Sequence, residues 1–207
     1  MNNMILDRLR NIEEQHKVRI LYACESGSRA WGFPSADSDY DVRFIYTHPL
    51  DHYLSIDEYR DVIEIPVNEV LDINGWDIRK ALRLFRKSNA PLYEWLQSPI
   101  IYSQEDQFAA EVKSMLRDYF CLRAGMHHYL SMAYNAFDEL QAAQVRAKKY
   151  FYCLRPLLAT IWIAEKQQLP PMEFRLLRTL VDDAAWHQAI DELLSLKRHG
   201  DEKLLVN

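Results

Sequence analysis

Apolar positions change their period several times in the first hundred residues. Residues 4–16 set Ile5, Leu6, Leu9 and Ile12 at helical spacing among charges, which predicts an amphipathic first helix. Val18 to Cys24 is a short apolar run with β-branched members, the pattern of a buried strand. Glu25-Ser26-Gly27-Ser28 interrupts it, and Ser28 to Trp31 can start a short helix. The polar turn Pro34 to Ser38 leads into a second strand, Tyr40 to Tyr46. Asp61–Ile65 and Glu69–Ile73 predict two more strands, divided around Pro66. Asp77 to Lys87 returns to helical spacing through Ile78, Leu82 and Phe85. Asn89-Ala90-Pro91 punctuates that helix, with the proline suited to the first turn of the next.

Beyond about residue 104 no strand pattern stands out. Helical patterns run through 105–117, 119–145, 147–165, 172–181 and 183–197, with Pro170-Pro171 at one joint. The chain therefore divides into an N-terminal domain of strands and helices, 1–104, and a helical bundle, 105–207.

Composition narrows the class. Hydrophobic residues at 49% and charged residues at 27% are the balance of a globular protein with a core. No apolar run approaches the roughly 18 residues of a membrane span. The first residues lack the charged-then-apolar layout of a signal peptide, so a cytoplasmic location is expected, with no membrane partner. Cys24, Cys121 and Cys153 are scattered and odd in number without a CxxC pair, which argues against a disulfide scaffold and a cysteine-rich zinc site and predicts small buried side chains. A net charge of −5 leaves any nucleic-acid contact to local patches.

Two such patches stand out. Arg79, Arg83 and Arg86 recur at i, i+4 and i+7 beside Lys80 and Lys87, a face able either to track a phosphate backbone or simply to be solvated. Arg146, Lys148, Lys149 and Arg155 interleave with Tyr150 and Tyr152, which suits triphosphate or single-strand contacts but equally core packing of the tyrosines. His127 and His128, adjacent on a helix, diverge by about 100° and do not share a metal. Trp31, Trp76, Trp95 and Trp162 read as core or interface anchors, with Trp31 near enough to the motif below to stay open as a base contact.

Chemistry concentrates at Asp39 and Asp41. Two residues apart on a strand, they leave the same face with Cα atoms about 7 Å apart. Carboxylates approaching to about 5 Å repel by roughly 3 kcal/mol at an effective dielectric near 20. A proton, a cationic side chain or a divalent ion must offset this. An EF-hand reading of Asp37, Asp39 and Asp41 fails, because Val42 and His48 occupy the positions that need glycine and glutamate. An isolated Asp-x-Asp would be a solvated polar turn. Here Gly27-Ser28 precedes it, after a buried strand and before a short helix, with residues 29 to 38 between. Glycine permits close backbone approach, and amides at a helix start bind anions. A phosphate cradle beside paired acids is what triphosphate chemistry requires.

This arrangement resembles the signature of the DNA polymerase β-type nucleotidyltransferase superfamily. The string from Gly27-Ser-Arg-Ala-Trp-Gly32 through Asp39-Tyr-Asp-Val-Arg43 is most similar to the RlaP-like, RNA repair-linked members, as are Gly75 to Leu82 and Lys148 to Pro156. The resemblance implies an α+β fold, a small mixed sheet with flanking helices followed by helices, and Mg²⁺ (or Mn²⁺) held by three carboxylates. Asp39 and Asp41 supply two, and Asp72 is the choice for the third, with Glu69 and Asp77 as rivals. It further implies transfer of a nucleoside monophosphate from a nucleoside triphosphate to an acceptor hydroxyl, expected to be on RNA. Gly27 and Ser28 would hold the phosphates, with Arg29 adding a charge-assisted bond. Arg43, on the face of Asp39 and Asp41, suits an ion pair within the site better than ligand contact. A protein or small-molecule acceptor, and a non-catalytic nucleotide- or RNA-binding module, are the competing readings.

Overall fold

Alternation over residues 40–47 sorts the second strand cleanly: Val42, Phe44 and Tyr46 go to one face of the sheet, Asp41, Arg43 and Ile45 to the other. The computed structural model describes residues 1–57, 59–66, 70–141, 145–199 and 205–206. Helix α1 (Asn2–His16) presents Ile5, Leu9 and Ile12 to the first of those faces and ends on Lys17 in the left-handed region. Strand β1 (Arg19–Glu25) leads into the short helix α2 (Gly27–Trp31), then to β2 (Tyr40–Thr47) and α3 (Leu50–Leu54). Strands β3 (Val62–Ile65) and β4 (Leu71–Asp77) follow, and α4 (Ile78–Arg86) starts directly from β4. Helix α5 (Ala90–Gln97), capped by Asn89 and with Pro91 in its first turn, precedes the edge strand β5 (Ile101–Gln104).

The five strands form one sheet in the order β3-β4-β2-β1-β5. Only β2 and β4 run parallel; β1–β2, β1–β5 and β3–β4 are antiparallel, so the sheet is mixed and the fold is α+β. Strand β5, four polar-leaning residues at an edge, was not revealed by periodicity, and neither was the short helix α3.

The helical half comprises α6 (Asp106–Tyr119), α7 (Leu122–Glu139), α8 (Ala147–Lys166), α9 (Phe174–Leu177) with a 3₁₀ turn to Leu180, and α10 (Ala184–His199). Two expectations need correction. A two-residue bridge, β6 (Val145–Arg146) with β7 (Leu205–Val206), lies in a region read as purely helical, and pairs too short to show a period leave no trace in sequence. Residues 172–181 form a short turn of helix rather than a continuous one.

The second face of the sheet carries Tyr22, Cys24 and Ile45. It is covered by Ala81 and Phe85 of α4, by α5 and by the helical half, through one continuous core that reaches Phe151, Ile163 and Leu177. Leu82 lies half exposed instead of facing that core. Cys24 and Cys153 are buried as expected, whereas Cys121 is exposed just before α7.

Candidate active site

Strand β1 ends in a fully buried acid. Glu25 Oε1 accepts from the Asp41 amide at 2.9 Å, and the Tyr102 hydroxyl donates to its other oxygen. Burial pushes the Glu25 carboxyl above its ordinary range, and these two donors oppose that rise. The next residue reciprocates, because the Ser26 amide donates to the Asp41 carbonyl at 2.8 Å. The turn that ends β1 and the residue that bears the acid are thus stitched together on both sides of Asp41.

Gly27 has φ +57°, and a Cβ built on it would lie 1.9 Å from Asp41 Oδ2. Glycine here answers both a left-handed backbone and a carboxylate lying against the turn. The adjacent loop is fixed by three hydroxyls: Ser28 Oγ donates to Ser38 Oγ at 3.2 Å, and Ser35 Oγ lies 2.8 Å from Ser38 Oγ. Arg29 crosses the same loop, donating to the carbonyls of Ser38 at 2.6 Å and Asp39 at 3.1 Å, with its guanidinium 3.8 Å over the Tyr40 ring. In this geometry Ser28 and Arg29 brace the segment that delivers Asp39 and Asp41.

Across the parallel β2–β4 pair, Asp41 is in register with Asp72. Arg43 lies between them: Nη2 donates to Asp41 Oδ1 at 3.1 Å and to Asp72 Oδ2 at 2.7 Å, while Nη1 reaches the Asp72 carbonyl at 2.9 Å. A cationic side chain therefore supplies the offset that adjacent acids demand. Asp39 sits exposed immediately before β2. Among the described residues, no three His, Cys, Asp or Glu side chains are gathered closely enough to hold an ion in this arrangement.

Of the rivals to Asp72, Asp77 leaves the opposite face of β4, caps α4 by accepting from the Arg79 amide at 2.8 Å, and accepts from the Tyr53 hydroxyl at 2.7 Å. Glu69 lies outside the described residues. Arg155 belongs elsewhere than in a basic patch: it is buried, with Nη2 2.5 Å from Glu94 Oε1. Glu94 also accepts from Trp31 Nε1 at 3.3 Å and from the Tyr129 hydroxyl at 3.0 Å. Sequence reasoning passed over Glu25 and Glu94. The one available signal was an acid at the end of an apolar strand, Glu25, and an acid inside the apolar stretch Leu92 to Leu96, Glu94.

A cavity of about 360 Å³ opens beside this site, and its lining includes Ser26, Arg43 and Asp72 together with Trp31, Trp76 and Trp95. Comparison with known proteins fixes the ancestry of this geometry. The pattern of the RlaP family, described as the RNA repair pathway DNA polymerase beta family, matches residues 1–207. The chain belongs to that family. Its relatives include the uncharacterized protein YcgL of Bacillus subtilis (strain 168), 48% identical over 204 residues, which cover 98% of this chain and 78% of the relative. A crystal structure of a nucleotidyltransferase-like protein from Exiguobacterium sibiricum 255-15 is similar at 12% identity with a TM-score of 0.33. That match covers 91% of this chain, which spans 64% of the length of the Exiguobacterium protein. No helix among the described residues is long and apolar enough to cross a membrane.

Proposed function

We propose that this RlaP-family protein is a metal-dependent nucleotidyltransferase that moves a nucleoside monophosphate from a nucleoside triphosphate to an acceptor hydroxyl, with RNA as the acceptor. The observation that carries this reading is the register of Asp41 with Asp72, with the Gly27 turn pressed against Asp41 Oδ2. That juxtaposition puts two hard oxygen donors beside a turn that a side chain would block.

The residues fit Mg²⁺ or Mn²⁺ in kind. Asp39, Asp41 and Asp72 are oxygen donors, and the place between the last two is already one that attracts positive charge, as the Arg43 guanidinium demonstrates. What a divalent ion supplies in such a site is a lowered pKa for the attacking hydroxyl and neutralisation of charge on the leaving group. In the reaction, the acceptor hydroxyl gives up its proton to solvent and its oxygen bonds to the α-phosphorus, while the bond from that phosphorus to the oxygen bridging to the β-phosphate breaks and pyrophosphate leaves. The Gly27–Ser28 turn receives the β- and γ-phosphates. Glu25, through the Asp41 amide, keeps the acid at its station, and Arg29 holds the loop that presents Asp39. The RNA acceptor is supported by the family's description as an RNA repair pathway group.

The test has two stages. A nucleoside triphosphate with Mg²⁺ or Mn²⁺ should raise the melting temperature of the wild type and not of Asp39→Asn or Asp41→Asn. Separate incubations with labelled ATP, GTP, CTP and UTP, each with RNA, with purified proteins or with neither, should place label in RNA. Label in protein alone would replace the acceptor, and no thermal shift in the wild type would overturn the enzymatic reading.

A further inference from the structure

We propose that the cavity beside Asp72 receives the heterocyclic base of the nucleoside triphosphate, with the Trp76 indole as its stacking surface and Trp31 as its far wall; this rests on the nucleotidyltransferase reading above. The starting point is local. Trp76 is two positions past Asn74 and four past Asp72 on the same face of β4, so the strand that presents the acid also presents the indole. At the strand rise, Trp76 lies about 13 Å along the chain from Asp72. That span suits the sugar and base that extend from an α-phosphate held at the acid.

The walls are built and held. Trp95 of α5 covers one face of the Trp76 ring, with centroids 3.9 Å apart and planes inclined by 33°. Trp31, at the end of the helix that begins at Gly27, is anchored through its indole N–H to Glu94 Oε2 at 3.3 Å. The Arg155 guanidinium lies 4.3 Å over the Trp31 ring, and the Tyr152 ring meets it edge-on at 5.7 Å. Neither indole depends on the ligand for its position, which is the condition for a preformed site. The volume of about 360 Å³ is in the range of small-molecule pockets, roughly 300–1,000 Å³. Its lining joins aromatic faces and Met132 to a few polar groups, Arg43, Asp72 and Asn74 among them, which suits a flat heterocycle bound next to a charged phosphate.

The Glu94–Arg155 pair has a second consequence for this site. Its three protein partners satisfy the Glu94 carboxylate from Trp31, Tyr129 and Arg155, so an acid that lines an aromatic cavity is occupied in orienting the wall. Recognition by stacking rather than by that carboxylate favours tolerance among bases.

The experiment compares Mn²⁺–ATP with Mn²⁺–tripolyphosphate, which has the phosphates and no base, by titration against the wild-type chain, Trp76→Ala and Trp76→Phe. Tryptophan fluorescence provides a second readout. The wild type should bind ATP about ten-fold more tightly than tripolyphosphate, as expected when a base stacks on an indole. Trp76→Ala should abolish that preference while leaving tripolyphosphate affinity unchanged, and Trp76→Phe should keep most of it. Retention of the full preference in Trp76→Ala would overturn the base site while leaving the phosphate and metal reading intact. If neither ligand binds the wild type, both fall.

Discussion

Asp41 and Asp72 stand side by side on parallel strands and share one guanidinium, that of Arg43. Their separation in sequence is large, and their proximity is produced entirely by the β2–β4 register. Parallel pairing repeats the same hydrogen-bonding step along both strands, so Tyr40–Leu71, Val42–Ile73 and Phe44–Gly75 fix the acids as firmly as any contact of their own.

Removing the shared cation should expose the repulsion it relieves. Arg43→Met is expected to lower metal-free stability by on the order of 1 kcal/mol, since both acids retain some solvent to screen them. Added Mg²⁺ should then raise the melting temperature of this variant more than that of the wild type. An equal rise in both would mean that Arg43 and the ion do not compete for the same acids.

Two glycines with positive φ allow backbone strain to be separated from site geometry. Gly27→Ala places a methyl 1.9 Å from Asp41 Oδ2, whereas Gly32 has nothing within 4 Å of the position its Cβ would take. Both changes incur a left-handed penalty of about 1–2 kcal/mol. Only Gly27→Ala should also abolish binding of a triphosphate with Mn²⁺, measured by calorimetry at a temperature where both variants remain folded.

Much of this site was legible because its parts are local. Gly27-Ser28 and Asp39-Tyr40-Asp41 lie close together in the chain, and the strand period alone assigns Asp41 and Arg43 to one face. Asp72 followed from its apolar neighbours Leu71 and Ile73, which the sheet buries. What stayed hidden depends on partners far away in sequence. The indole at Trp76 reads as an ordinary core residue until β4 is seen to continue past Ile73, and Arg155 reads as a surface cation until α8 brings it to Glu94. Strand β5 escaped because Ile101 to Gln104 lacks a buried face to impose alternation.

The Glu94–Arg155 pair should be sensitive to the loss of one partner. Both side chains are almost wholly buried, at 6% and 2% exposure. Glu94→Gln or Arg155→Met alone leaves an uncompensated buried group and should cost about 3–5 kcal/mol in urea denaturation. The double variant Glu94→Leu/Arg155→Met should recover a large part of that loss, because neither charge then remains.

Acid should destabilise the protein partly through His48. Burial, followed by the positive charge of nearby His52, lowers its pKa from the ordinary 6.5. The two rings stack with centroids 3.6 Å apart. A base whose folded pKa is depressed binds its proton more weakly than the unfolded chain does, so stability is complete above pH 6.5 and declines as pH falls through and below that value. His48→Gln should flatten the melting temperature between about pH 7 and 5 relative to the wild type. An unchanged slope would assign the acid sensitivity to other groups.

The parallel pairing of β2 with β4 also governs what a fragment can do. A chain cut after β2 retains the entire Gly-Ser and Asp-Tyr-Asp stretch, the part that a motif search would recognise, yet has neither Asp72 nor the wall that Trp76 provides. Half of this centre is therefore written in one short segment, and the other half arrives only when a strand synthesised later zips in alongside.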